Sequence, residues 1–227
     1  MKGIRFLLVV LMPMFLPACV TQREMEPKST SSTVVDPNVK VTLLMTVTLR
    51  NDNHPSYQPR LWRVDAEKPD GKGDYERIVY WMDTDGAVVS EEKTDYQVRL
   101  VMDPTVHVIR NMMAKSGTFF ITEGYFNIPL HMDVNITNPG VYYVGHIEAV
   151  VRERKEGEFR AGAMMPLINQ CVVGASSGTI EVAVEDRFES DIGAFKDRFP
   201  ALRNVQIQKA ILPQWDRVKA QQWWETH

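Results

Sequence analysis

Ser176 lies at the centre of a short motif that could supply a catalytic nucleophile. Residues 174–178 read Gly-Ala-Ser-Ser-Gly, which fits the G-x-S-x-G pattern of a nucleophile elbow. That elbow needs a strand before the serine and a helix after it, whereas residues 179–184 (TIEVAV) alternate as a strand does. We therefore expect a loop of small residues that joins two strands.

The histidines show no spacing that is typical of a metal site. None belongs to an H-E-x-x-H motif, and the two cysteines are far apart, so no sequence-local zinc site is expected. A site gathered in space from several strands stays the alternative. His146 alternates with Glu148 on a predicted strand, so both side chains share one face, and we interpret them as a solvated pair. The full set of histidines is His54, His107, His131, His146 and His227.

Two predicted loops are rich in carboxylates. Neither loop fits the D-x-[DN]-x-[DN]-G pattern of a calcium site, because aligning Gly86 with its glycine places Trp81 first. We expect solvated turns, with adventitious calcium binding as the alternative, and we predict no cofactor and no metal. The carboxylates are Asp65, Glu67, Asp70, Asp74 and Glu76 in one loop and Asp83 and Asp85 in the other.

Cys19 closes an N-terminal segment that has the layout of a secretory signal. Residues 1–5 carry two positive charges, and residues 6–16 (FLLVVLMPMFL) are apolar, a run too short to span a bilayer as a helix. The segment ends in Leu16-Pro17-Ala18-Cys19, which resembles the lipobox of bacterial lipoprotein precursors. The resemblance implies cleavage before Cys19, a diacylglycerol on its thiol and usually an acyl chain on its freed amine.

The charge of the remaining chain indicates how it would stay at a membrane. Removal of residues 1–18 takes away two basic residues and no acid, which lowers the formal net charge from −3 to −5. An acidic chain is not attracted to anionic lipid or to nucleic acid, so we expect acyl chains to hold it. By resemblance to enteric lipoprotein sorting, Val20 after Cys19 implies the periplasmic face of the outer membrane. An inner-membrane anchor or a soluble periplasmic protein cut near Ala18 is the alternative.

The composition divides the chain into four parts. We expect a signal peptide at 1–18, a lipidated Cys19 with a flexible tether at 19–38, a folded domain at 39–213 and a helical tail at 214–227. The tether is rich in Ser, Thr, Pro and charged residues and has no apolar periodicity, which is typical of a linker. The chain as a whole is 44% hydrophobic and 24% charged, as in ordinary globular proteins.

The predicted domain is mainly β. Residues 39–49 alternate apolar and polar side chains, and many short runs of the same kind follow with turn signals between them. This spacing predicts an antiparallel β-sandwich. The exception is a helical stripe near the C-terminus, formed by Phe188, Ile192, Phe195, Phe199 and Leu202. The other candidate strands are 77–82, 97–102, 106–110, 118–122, 126–136, 141–154, 159–168, 171–173, 179–184 and 205–211.

Two short features resemble a loose group of uncharacterised bacterial envelope lipoproteins. They are the strand motif Tyr143-Val144-Gly145 and the acidic-aromatic helix at 185–200. The resemblance implies an immunoglobulin-like or prealbumin-like sandwich and no particular activity. In physical terms, Gly145 inside a strand predicts a bulge or a close backbone approach, and Tyr142 and Tyr143 must point to opposite faces.

The C-terminal tail is unusually rich in tryptophan. Pro213 can precede a new helix, and residues 214–225 are good helix formers. At 100° per residue one helix face cannot bury all three indoles, so we predict that Trp215 docks on the sandwich and Trp224 stays exposed. A frayed terminus in which only Trp215 is ordered is the alternative. Trp223 and Trp224 are therefore the candidate interaction residues.

These observations favour a lipid-anchored, non-enzymatic envelope protein that binds another envelope protein. The alternatives are a hydrolase of envelope polymer or lipid that uses Ser176 or scattered His and Asp residues, and a small-ligand or glycan-binding module. An enzyme requires a pocket with a nucleophile, a base and an orienting acid within hydrogen-bond reach. A partner-binding module requires an exposed apolar or aromatic patch.

Overall fold

The computed structural model describes residues 20–30, 36–69, 77–89, 93–117, 123–163 and 171–226. The predicted signal peptide, Cys19 and the predicted strand at 118–122 lie outside the described residues. So do His227, most of the predicted strand at 159–168 and part of the first acidic loop, with Asp70, Asp74 and Glu76. Within the described part of the chain, no helix is both long and apolar enough to cross a membrane.

Two β-sheets form the body of the protein. The first sheet has the strand order β1 (Thr21–Glu24), β4 (Arg77–Trp81), β3 (Arg60–Glu67), β7 (His107–Ser116) and β8 (Gly124–Val134). The second sheet has the order β10 (Gly178–Glu185), β9 (Gly140–Glu153), β2 (Val41–Asn51), β6 (Thr94–Met102) and β5 (Ala87–Val89). A short strand, β11 (Ile207–Lys209), also pairs with β9.

The main hydrophobic core lies between the two sheets. The apolar positions of β2 point into it, as the alternation predicts, and all are at most 1% exposed: Val41, Leu43, Met45, Val47 and Leu49. The first sheet contributes Val64, Ala66 and Met112 to the same cluster. The predicted mainly β, sandwich-like architecture is therefore confirmed.

The prediction that the sheets are antiparallel is only partly correct. β1 pairs with β4, β2 with β9, and β9 with β11 in parallel. The remaining pairs between described strands, such as β2 with β6 and β7 with β8, are antiparallel. Period-two alternation places a side chain on one face but is the same for both strand directions, so the alternation could not reveal these mixed sheets.

Helix α1 (Phe188–Arg198) covers the outer face of the second sheet, and the 3-10 turn Pro200–Leu202 follows it. The predicted helical stripe is confirmed, because Ile192, Phe195 and Phe199 are buried against the sheet residues Leu44 and Tyr143. This second cluster is separate from the main core. Helix α1 is amphipathic because its apolar side packs on the outer face of the second sheet, outside the sandwich interior.

Gly145 lies at a break in β9. The register between β2 and β9 shifts there, which confirms the predicted bulge, and Gly145 has a φ of 125° that other residues rarely adopt. On the same edge of β9, β10 pairs from His146 onward and β11 pairs with residues 141–143. Tyr142 packs in the main core and Tyr143 under α1, so the two rings lie on opposite faces as predicted.

Residues 21–27, before β2, are packed against the domain. β1 adds an edge strand to the first sheet, and Met25, directly after it, is fully buried in the main core. Arg99 Nε donates to the carbonyl oxygen of Pro27 at 2.7 Å, and Arg23 Nη1 donates to that of Val101 at 2.8 Å. For residues 21–27 this packing differs from the flexible tether that the composition predicts at 19–38, because strand β4, the core and Arg99, all distant in sequence, bind these residues.

Candidate functional site

A cavity of about 310 Å³ opens on the outer face of the first sheet, the face turned away from the second sheet. Four strands, β3, β4, β7 and β8, supply most of its lining, and helix α2 (Arg217–Thr226) supplies one wall. We call it the arginine cavity because three guanidinium groups line it. The lining residues used below are Arg63, Asp65, Arg77, Arg110, Asn111, Met113, Tyr125, Phe126, Trp223 and Trp224.

Two bulges place consecutive side chains on this outer face. In the pairing of β3 with β7, the register shifts between Leu61 and Arg63, so Trp62 and Arg63 both lie on the outer face. In the pairing of β7 with β8, the register shifts between Ile109 and Asn111, so Arg110 and Asn111 both line the cavity. A regular strand would send one member of each pair into the core, and a bulge re-aims it.

The carboxylates beside the cavity are buried. Asp65 is 3% exposed and forms an ion pair with Arg63, with 3.2 Å between its Oδ1 and the Arg63 Nε. Burial raises the pKa of Asp65, and nearby Arg63, Arg77 and Asn111 only partly oppose this rise. Glu67 is 5% exposed and pairs with Arg110. Both carboxylates lie on strand β3, so the prediction that they belong to a solvated loop is wrong.

An aromatic surface, formed by Trp62, Trp81 and Tyr125, lies next to the cavity. The ring centroids of Trp62 and Trp81 are 5.1 Å apart in an edge-to-face arrangement, and those of Trp62 and Tyr125 are 5.7 Å apart. All three rings are partly exposed. The Arg63 guanidinium lies 5.8 Å from the Trp62 ring, and the Lys115 ammonium lies at the same distance from that ring. Cations over tryptophan stabilise such a cluster.

The tail tryptophans are packed against the domain. Trp215 contacts Phe159 at 6.5 Å between ring centroids, which confirms the predicted docking of Trp215. The prediction that Trp224 stays exposed is wrong, since its ring lies 6.3 Å from that of Phe159 and against the main core. Trp223 lies 5.3 Å from the His131 ring. The predicted register from Gln214 is wrong because α2 begins only at Arg217, so helix periodicity does not relate the direction of Trp215 to that of Trp224.

His146 belongs to a buried polar network beneath α1. It is 4% exposed, so the interpretation of His146 and Glu148 as a solvated pair is wrong for the histidine. Its Nδ1 lies 3.1 Å from Asp191 Oδ2 and its Nε2 lies 2.8 Å from Thr48 Oγ1. Hydroxyl, imidazole and carboxylate thus follow the order of a catalytic triad. The Thr48 hydroxyl, however, donates to Asp95 Oδ1 at 2.5 Å, so its proton is not directed to the imidazole as nucleophile activation requires.

Ser176 lies in the turn that leads into β10, as the alternation after it predicts. Its hydroxyl donates to the sulfur of Cys171 at 3.2 Å, and the side chain is 5% exposed. A strand follows the turn in place of the helix that a nucleophile elbow requires. The predicted strand at 171–173 is also wrong, because these residues belong to the same turn.

The carboxylates of the second predicted acidic loop bind protein groups. Asp83 pairs with the buried Arg99, and Asp85 Oδ2 accepts a hydrogen bond from the Ser29 backbone N–H at 3.0 Å. Among the described residues, no group of three or more His, Cys, Asp or Glu side chains is placed to hold a metal ion.

Comparisons with known proteins assign no family to this geometry. No protein-family model matches the chain, and neither a curated protein nor a solved structure matches it. The two features with functional geometry are the aromatic surface and the arginine cavity on the first sheet. The sequence does not predict either feature, because residues 60–67 (RLWRVDAE) carry several charges and their alternation of apolar and polar side chains is broken.

Proposed function

We propose that this protein is a lipid-anchored envelope protein whose folded domain binds a partner protein through the aromatic surface. The observation that carries the proposal is the cluster of Trp62, Trp81 and Tyr125, partly exposed and bordered by Arg63 and Lys115. Tryptophan, tyrosine and arginine are the residues that most often dominate protein–protein binding energy. The Trp and Tyr side chains also lose little conformational entropy on binding, because each has only two side-chain torsions.

The anchor in this proposal is the lipid on Cys19, at the periplasmic face of the outer membrane. Strand β1 begins at Thr21, two residues later, a distance that extended chain covers in at most about 7 Å. The domain would therefore lie directly at the bilayer surface, with the β1 edge of the first sheet nearest to the lipid. This position favours a partner that also lies close to the membrane.

A non-catalytic role agrees with the polar groups of the described residues. The hydroxyl of Ser176 donates to the sulfur of Cys171, and that of Thr48 donates to the carboxylate of Asp95, so neither proton is directed to the imidazole of a histidine. The aromatic surface instead offers area for contact. We therefore favour binding over the hydrolase alternative.

Mass spectrometry of the protein extracted from membranes tests the anchor. We expect an N-terminus at Cys19 and an added mass of acyl chains, and we expect Cys19→Ser to lose both the lipid and the membrane fraction. A soluble mature protein with an unmodified Cys19 would refute this part of the proposal.

Photo-crosslinking in intact cells tests the partner. A crosslinking amino acid at Lys115, beside the aromatic surface, should capture a defined protein, and Trp81→Ala should abolish the capture. The control is Phe188→Ala, which removes a partly exposed ring from α1 on the opposite sheet. Equal capture by the Trp81→Ala and wild-type proteins would contradict a role of the aromatic surface.

A further inference from the structure

We propose that the arginine cavity binds a small molecule in which an uncharged carboxamide is attached to an apolar ring. This inference goes beyond the proposed partner binding, because it concerns a small ligand in a cavity next to the aromatic surface. Three observations support it: a buried acceptor without a donor, a buried donor beside it without an acceptor, and apolar walls that are partly exposed.

Asn111 supplies the acceptor. It lines the cavity and is 8% exposed, and its Oδ1 has no hydrogen-bond partner among the described residues. The amide nitrogen of the same side chain donates to the carboxyl group of Asp65. Because a flip of the amide would lose this bond, the oxygen of Asn111 is the atom that is left without a partner.

Arg110, the residue before Asn111 in β7, supplies the donor. Its guanidinium pairs with Glu67 through Nη2, whereas its Nε is buried and has no hydrogen-bond acceptor among the described residues. Both unsatisfied atoms are shielded from water, so solvent does not take the place of the missing partners. Such atoms cost free energy in the folded protein, and a ligand that enters between the two side chains and satisfies both would recover it.

A carboxamide is the group that matches both atoms. Its oxygen accepts from the Nε–H of Arg110, and its NH₂ group donates to Oδ1 of Asn111. A carboxylate only accepts and an amidinium only donates, so each would leave one of the two atoms without a partner. This match depends on hydrogen bonding and not on the net charge of the cavity, in which Arg63, Arg77 and Arg110 each have a partner.

The walls fit one apolar ring. Met113, Tyr125, Trp223 and Trp224 line the cavity and are all partly exposed. Phe126 borders the cavity from the main core, where its side chain is fully buried, so it is not one of these walls. The volume of about 310 Å³ lies at the lower end of the range for ligand pockets, which suits a single ring and not an extended polymer.

Benzamide, which joins a carboxamide to one ring, is the probe. The full chain, purified in detergent, is titrated with it while NMR follows the indole N–H signals of Trp223 and Trp224. We expect these signals to shift with a millimolar dissociation constant. Benzoate and benzamidine have the same shape, but benzoate lacks the donor and benzamidine lacks the acceptor. We therefore expect each of them to bind at least tenfold more weakly than benzamide.

Matched asparagine variants locate the site. Asn111→Leu keeps the size of the side chain but removes the acceptor, so benzamide should bind at least fivefold more weakly and its preference over benzoate should fall below threefold. Asn135→Leu, at an exposed position outside the cavity, should change benzamide binding less than twofold. If Asn111→Leu does not fold, Met113→Trp provides the second test, since its larger ring fills the cavity and should abolish binding.

Several outcomes would overturn the inference. Absence of benzamide binding, equal binding of benzoate or benzamidine, or unchanged benzamide binding by a folded Asn111→Leu or Met113→Trp variant would each exclude a carboxamide site here. These failures are distinguishable from a failure of the proposed function, because the partner assay measures protein crosslinking at the aromatic surface.

Discussion

The indole nitrogen of Trp215 donates a hydrogen bond to the carbonyl oxygen of Pro129, with 2.8 Å between the two atoms. The same ring packs edge-on against Phe159, and Pro129 lies in β8. One side chain thereby joins the start of α2 to the first sheet and to the core. The tail helix is held at its beginning, before either of the tryptophans that line the arginine cavity.

Replacement of Trp215 should therefore destabilise the whole domain. We expect Trp215→Ala to lower the free energy of unfolding by about 3 kcal/mol, since it removes a large packed ring. Trp215→Phe keeps most of the packing and loses the hydrogen bond to Pro129, so its cost should be about 1 kcal/mol. Urea denaturation followed by circular dichroism measures the free energy of unfolding of both variants. Equal losses in the two variants would show that the hydrogen bond contributes more than the ring packing.

Trp224 should also contribute to the free energy of unfolding, whereas a fully exposed ring would not. Its contact with Phe159 and the main core predicts a loss of about 1–2 kcal/mol for Trp224→Ala. The control is Val218→Ala, which truncates a side chain on α2 that is 65% exposed and should change stability by less than about 0.5 kcal/mol. Indistinguishable stabilities of the two variants in urea would contradict the packing of Trp224.

Arg99 should stabilise the domain and hold the N-terminal segment around Pro27 against it. Its guanidinium is fully buried, donates to the carbonyl oxygens of Pro27 and Gln97, pairs with Asp83 and lies 4.1 Å from the centre of the Phe199 ring. Breaking a buried ion pair costs about 3 kcal/mol or more, so Arg99→Met should destabilise the domain by that order.

The Arg99 variant should also release the segment around Pro27. Limited trypsin digestion, read by mass spectrometry, should cut after Lys28 much faster in Arg99→Met than in the wild type. Arg203→Met, which removes an exposed arginine, is the control and should cut at the wild-type rate. An unchanged cleavage rate in Arg99→Met would mean that Met25 and β1 hold the segment without Arg99.

Asp191 should make α1 sensitive to acid. Burial raises the pKa of Asp191, but hydrogen bonds from His146, Tyr143 and Thr46 together hold it below its usual value. A carboxyl with a lowered folded-state pKa stabilises the fold above its unfolded-state pKa of about 3.9, and this contribution is lost as pH falls through the folded-state pKa.

Asp191→Asn should accordingly cost about 1–2 kcal/mol at pH 7, because a charge-assisted acceptor is lost. The difference from wild type should shrink as the pH falls below about 4. Urea titrations between pH 7 and pH 3 measure it, with the exposed Asp197→Asn as the control on the same helix. A difference that does not depend on pH would contradict the charged state of Asp191.

Asp65 should behave in the opposite way. Burial raises the pKa of Asp65, so the folded protein binds its proton more tightly than the unfolded chain does. Its contribution to stability is present below the unfolded-state pKa of about 3.9 and is lost as pH rises through the folded-state pKa.

Wild-type stability should therefore rise relative to Asp65→Asn as the pH falls from 7 toward 4. At pH 7 the variant should be at least as stable as the wild type, since the neutral amide avoids burial of a charge. Asp133→Asn, at an exposed position of β8, is the control. The same urea titrations apply, and a large loss of stability in Asp65→Asn at pH 7 would contradict the prediction.

Much of the fold followed from side-chain periodicity. The alternation of residues 41–49 and the helical spacing from Phe188 to Leu202 correctly placed β2, α1 and the following turn. Periodicity reports which face a side chain occupies, and burial against one surface enforces it. It carries no information on strand direction, which is why the parallel pairing of β2 with β9 was not foreseen.

The candidate site was harder to predict because it depends on irregularities. In β3, Val64 and Ala66 alternate with Asp65 and Glu67, a usable strand signal that we interpreted as part of an acidic loop. The bulge that places Trp62 beside Arg63 comes from pairing between strands that are distant in sequence. No local pattern encodes such a pairing, and the same holds for the burial of Met25.

The parallel pairing of β1 with β4 also has a mechanical consequence. The bonds between these strands run across the strand axis, with Thr21 opposite Ile78 and Glu24 opposite Trp81. A pull on residue 20 along that axis loads these bonds together in shear, whereas a pull across the sheet would peel them apart in turn. The buried Met25 adds resistance behind the strand. The N-terminal edge should therefore resist a pull on residue 20 along the strand axis better than a pull across the sheet.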